Sequence, residues 1–214
     1  SEGFSDIEVY WSRGLLAYWE GDLTLAAARI REALELARES EDRWRECKCL
    51  AWAAIIALEQ NQSNVAVGYA SDLGKLATKI GEGAMGPLSR SLIAIAQQDN
   101  EEFDSALESL EAADDKSHLA YVLNLAADRH RKNGEALLAL DLANKAYGFA
   151  EAIGNENEKA FAQSLALTLG QQIGNSEFLT ELKQWPSSTK LMARVRAMAQ
   201  RALSHSTASN RKES

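Results

Sequence analysis

Four polar side chains, Asn124, Asp128, Arg131 and Lys132, fall at turn spacing along one stretch that reads as helix. An amide with cations one or two turns away suits a peptide carboxylate, which it grips through charge-assisted hydrogen bonds. The competing account is a set of cations solvated at a helix C-terminus, where the dipole favours them. A second cluster is aromatic. Tyr10, Trp11, Tyr18 and Trp19 crowd a single helical stretch, more than a core of that size needs. Aromatic anchors carry about 2 kcal/mol or more each at protein interfaces. Here too there is a competing account, in which they stack on a neighbouring or preceding repeat.

Chemistry of other kinds lacks its residues. His118, His130 and His205 are scattered, and no Ser or Cys stands with a base and an oxyanion loop. There is no Gly-x4-Gly-Lys-Ser/Thr phosphate cradle. Cys47 and Cys49, two apart in a helix, point in nearly opposite directions, and no Cys/His cluster completes a zinc site. They read as ordinary thiols of a reducing compartment. The adjacent acids Glu101-Glu102 and Asp114-Asp115 lie at helix starts or loop ends, where a carboxylate meets the helix dipole. The one catalytic alternative is an all-helical enzyme using Asp128 and His130. The expectation is a chain with no catalytic residues, no cofactor and no metal.

Composition narrows the partners. The 214 residues hold 31 acidic and 23 basic side chains, a formal net charge of −8, and 46% hydrophobic residues. A chain this apolar can offset its folding entropy. An acidic chain lacks the positive footprint of a direct nucleic-acid binder. No run of about 18 apolar residues offers a membrane span, and Ser1 to Asp6 lacks the blocks of a secretory signal. The expectation is a cytoplasmic protein with no membrane and no direct nucleic-acid contact, cut from something longer.

The elements that position these residues are helices. The chain has 36 Ala and only 2 Pro, and breaks recur at Gly21-Asp22, Asn61 to Asn64, Gly81 to Pro87, Asp99-Asn100, Asp114 to Ser117, Asn133-Gly134, Gly154-Asn155, Gly174-Asn175 and Trp185 to Ser188. Aligned on these turns, the chain repeats itself. The small mid-helix positions Gly14, Ala54, Ala94 and Ala127, and Leu167 in a decayed fifth copy, stand 40, 40, 33 and 40 residues apart. In the first four copies an Ala follows 12 residues later, at 26, 66, 106 and 139. Small side chains at fixed spacing are what two closely crossing helices require.

These residues resemble the tetratricopeptide repeat, carried by Gly14, Gly21-Asp22, Ala26, Ala33 and Leu34, and again by Gly134, Ala139 and Ala146. The 40-residue period and the Ile-Gly helix ends at 80–81 and 153–154 are similar to the helical superhelix of large bacterial signalling ATPases and transcription activators, including the maltose-activator type. The resemblance implies an all-α, right-handed superhelix of about five antiparallel hairpins (an α-solenoid) over residues 1–182. The hairpins fall at about 7–40, 43–80, 87–115, 118–153 and 156–184, with a capping helix at 188–204 and a disordered tail at 205–214. It also implies a sensor or protein-interaction domain, with a free-standing adaptor or assembly chaperone as the alternative.

In such a stack the first helices line a concave face. Counting out from the small positions gives Glu8, Trp11, Leu15, Tyr18 and Trp19, then Lys48, Ala51, Ile55 and Glu59, then Leu88, Ser91, Ile95 and Gln98. The fourth hairpin offers Tyr121, Asn124, Asp128, Arg131 and Lys132, and the fifth Phe161, Ser164, Thr168 and Gln171. The expected partner is a protein or peptide, which could be another domain of the same polypeptide. A small effector between Ile55 and Ile95 is also open.

Overall fold

The computed structural model describes residues 6–81, 83–169 and 191–210, with side chains up to 203 in the last stretch. Among the described residues there are ten helices and no strand. They are α1 (Asp6–Glu20), α2 (Leu23–Glu39), α3 (Arg43–Glu59), α4 (Ser63–Ile80), α5 (Met85–Gln97), α6 (Asn100–Ala112), α7 (Lys116–Lys132), α8 (Ala136–Ala152), α9 (Glu156–Thr168) and α10 (Ala193–Asn210).

A single device joins most of them. Among the described residues, each of the eight junctions from α1 to α9 contains one at positive φ: Gly21, Glu41, Asn61, Gly81, Gln98, Asp114, Gly134 and Gly154. A left-handed residue ends a helix by turning its N–H back to the last carbonyls. At five junctions the next residue is Asp or Asn, and its side chain accepts the free N–H three residues on. The pairs are Asp22 with Leu25, Asp42 with Arg45, Asp99 with Glu102, Asp115 with His118, and Asn155 with Glu158. Stop and start signals are thus adjacent, which keeps the connections short.

The chain forms two compact units, residues 1–114 and 115–214. In the first, each helix from α1 to α5 packs on its successor, and α1 also touches α3, as α3 touches α5. In the second, α7 packs on α8, α8 on α9, α7 on α9, and α10 on α9. The small positions lie at the packing faces. Gly14 is buried, and Ala26, Ala54, Ala66, Ala94, Ala106, Ala127 and Ala139 are no more than 1% exposed. Gly14 faces Ile30 rather than Ala26: a Cβ at 14 would stand 2.7 Å from Ile30 Cδ1 and 3.3 Å from its backbone nitrogen. The short 33-residue period also has a cause. The helices α5 and α6 have 13 residues each against 17 in α2, α3, α7 and α8. Four residues make about one turn, so length is lost while the facing side of each helix is kept.

The C-terminal helix differs from expectation at one end. The expected disordered tail began at 205, but α10 continues to Asn210. No Gly or Pro stands between Ser188 and Asn210 to stop it. Its buried side is Val195, Ala199 and Ala202, with Leu191 buried just before it, and the Met192 N–H donates to Asn157 Oδ1 at 2.8 Å. Residues 188–190, 211–214 and the second helix of the fifth hairpin lie outside the described residues.

Several carboxylates tie this fold to pH. Backbone N–H donation from Arg45 holds the Asp42 carboxyl below its usual range. Burial raises Asp115, Glu46 and Asp128, but their partners outweigh it and all three sit below the usual value. Those partners are His118 for Asp115, Arg38 and Arg43 for Glu46, and Lys132 and Arg131 for Asp128. A carboxyl with a depressed folded pKa stabilises fully above its unfolded value, and that contribution is lost as pH falls through the folded one. The urea midpoint is therefore expected to hold from pH 7 to about 5 and to fall below about pH 4. A midpoint unchanged at pH 3 would contradict these ion pairs.

Candidate functional site

The helices α1 and α3 present matching short-spaced faces. Ile7, Glu8 and Trp11 lie within little more than one turn on α1, and Trp44, Arg45, Lys48 and Cys49 within about one and a half turns on α3. Together they line a cavity of about 80 Å³. The Lys48 Nζ stands 3.5 Å from the centroid of the Trp44 ring and 5.5 Å from that of Trp11. Trp44 is 50% exposed. The Trp11 indole nitrogen is buried and has no hydrogen-bond partner among the described residues.

Charges around the cavity pair off with one left over. Arg45 reaches Glu8 at 2.5 Å and Asp42 at 2.5 Å. Glu46 is held by Arg38 and Arg43, each at 2.9 Å. Lys48 has no ion-pair partner among the described residues, and burial followed by the Arg45 charge pushes its pKa down. Burial pushes the Cys49 thiol up to about 12. It stays protonated and serves as an apolar wall rather than a nucleophile.

The residues expected to line a partner surface have separate fates. Glu8, Trp11 and Lys48 meet in this cavity. Leu15 and Trp19 are half-buried on α1. Tyr18 does not face a groove: it is 2% exposed, meets Trp19 and Trp52 edge-on at 5.1 and 5.2 Å, and donates to Glu59 Oε1 at 3.2 Å. Ile55 and Ile95 are likewise interior, at 2% and 6% exposure. The reason is that α3 packs against α1, α2, α4 and α5, which covers most of its sides.

The polar cluster of α7 is also turned inward on itself. Asn124 is 2% exposed, and its Nδ2 donates to Glu158 Oε2 at 2.8 Å and to the Glu158 carbonyl at 3.0 Å. It grips a carboxylate, but one of this chain. Asp128 accepts from Arg131 and Lys132, both at 2.8 Å, so these cations are occupied. Tyr121 is half-buried. His130 pairs with Glu135, which separates it from the partners of Asp128.

Trp44 and Arg45 were missed by the sequence reading, although Trp44 stands four residues before Lys48. Among the described residues no group of His, Cys, Asp and Glu could hold a metal ion. No described helix is long and apolar enough to cross a membrane. Neither a protein-family model nor a curated protein matches the chain.

Proposed function

We propose that the chain is a non-catalytic interaction or sensor domain, built as about five helical hairpins in a right-handed superhelix of the tetratricopeptide kind. It binds a partner protein or peptide at the face formed by its first helices. The carrying observation is that side chains from α1 and α3, one full period apart, share a cavity rimmed by an exposed Trp44. The 40-residue period and the buried small residues support the repeat reading. The resemblance to bacterial signalling ATPases and maltose-type activators supports a place within a regulator of that type.

Trp44 is the test. Its ring is half-exposed, so truncation leaves the fold intact while removing an aromatic anchor of about 2 kcal/mol. Immobilised chain and its Trp44→Ala variant are compared for capture from a lysate of the source organism, and the captured partner is then purified and titrated. The variant is expected to bind about 30-fold more weakly. Equal affinity, or no capture by either form, counts against this face.

A further inference from the structure

The geometry points to a single carboxylate, carried beside an aliphatic group on the partner, as the ligand of the α1–α3 cavity. This rests on the partner-binding reading above and adds the chemistry of the partner. Lys48 is the counter-charge, and Trp11, Trp44, Ile7 and Cys49 are the walls.

The choice follows from what the cavity already satisfies. Every acid around it has a cation: Glu8 and Asp42 share Arg45, and Glu46 takes Arg38 and Arg43. The ammonium of Lys48 lies over two indole faces and, among the described residues, has no ion-pair partner, Glu8 attracting it only at longer range. A ring face attracts the charge but offers no lone pair, so the ammonium donors are left to solvent or to a ligand. A cavity whose acids are all paired, and whose lysine has no ion-pair partner among the described residues, calls for an anion.

Other ligand classes fit less well. A phosphate dianion brings a second charge, and Arg45 is already shared by two carboxylates. A cationic ligand would have to displace Lys48 from the indole faces. A purely apolar ligand would shut the Lys48 ammonium away from any acceptor, which is costly. A volume near 80 Å³ with walls of indole, isoleucine and thiol suits one carboxylate and a few methylene carbons.

The experiment titrates the full chain with blocked tripeptides at millimolar concentration, read by tryptophan fluorescence. The probes are acetyl-Leu-Glu-Leu-amide, its Gln counterpart and free hexanoate. The Glu peptide is expected to give a saturable change, with the Gln peptide at least about tenfold weaker. Lys48→Met, which keeps the stem and removes the charge, is expected to lose at least about tenfold for the Glu peptide. Lys48→Arg is expected to keep most of the binding, and circular dichroism checks that both variants fold. Equal binding of the Glu and Gln peptides, or of the wild type and Lys48→Met, overturns the assignment. So does binding of neither peptide. Hexanoate binding without the peptide would also overturn it, in favour of a small effector. If capture of a partner still depends on Trp44 while no carboxylate preference is seen, the partner-binding reading survives and the ligand chemistry alone falls.

Discussion

Replacing Gly14 by Leu is expected to destabilise the protein by about 3 kcal/mol, in the upper range for overpacking a tight core. A Cβ at this position already stands 2.7 and 2.8 Å from Ile30 side-chain carbons and 3.3 Å from the Ile30 backbone nitrogen. Ile30 is 0% exposed, so its side chain has no open space to swing into. The remaining relief is separation of α1 from α2, which uncovers apolar area along both. Gly68→Ala, in α4, is the control. Nothing lies within 4 Å of a Cβ there, so the gain in helix propensity acts alone and stability should rise by about 0.5–1 kcal/mol. Urea denaturation followed by tryptophan fluorescence reads both, because Trp11, Trp19, Trp44 and Trp52 all belong to the first unit. A Gly14→Leu midpoint at or above that of Gly68→Ala would refute close approach of α1 and α2 at Gly14.

The same Gly14 shows why the close pairing of consecutive helices was legible. Close crossing of two helices restricts residue size, and size is written in the sequence. The helices and turns could be read for the same reason, since left-handed Gly and capping Asp are local requirements. Faces were harder. Groove positions on α3 were counted outward from Ala54 as though this helix had one buried side. It is instead buried from Glu46 to Leu58, apart from Lys48 and Trp52, and a helix apolar nearly all round does not announce its open edge. Ile55 was therefore placed outside when it lies inside, while Trp44 and Arg45, on the first turn of α3, were passed over. The α7 cluster failed differently. Spacing along one helix identified Asn124 as a carboxylate binder, but the carboxylate came from Glu158, 34 residues on. Contacts of that range are set by packing, which no single-helix pattern records.

That inward clamp makes the second large prediction, Asn124→Asp. The change keeps shape and size but sets a carboxylate where Nδ2 now donates to Glu158 Oε2 at 2.8 Å. Asn124 and Glu158 are 2% and 4% exposed, so water does little to screen the pair. The expected loss at pH 7 is about 3 kcal/mol, combining the lost charge-assisted hydrogen bond with buried like-charge repulsion. The pH dependence carries the sharper test. Two facing carboxyls titrate as a pair, with one folded pKa raised well above the unfolded value near 4. Between those values the folded variant binds more protons than the unfolded one, so its stability falls as pH rises and returns as pH drops. The wild type runs the other way in acid, because its paired carboxyls have depressed values. Thermal melts between pH 7 and 5 should therefore show Asn124→Asp recovering while the wild type stays level. Asn124→Leu, which removes the amide without adding charge, should cost about 2 kcal/mol and show no recovery. If Asn124→Asp and Asn124→Leu melt in parallel across this range, Asn124 does not hold Glu158 in solution, and the link between α7 and α9 must lie elsewhere.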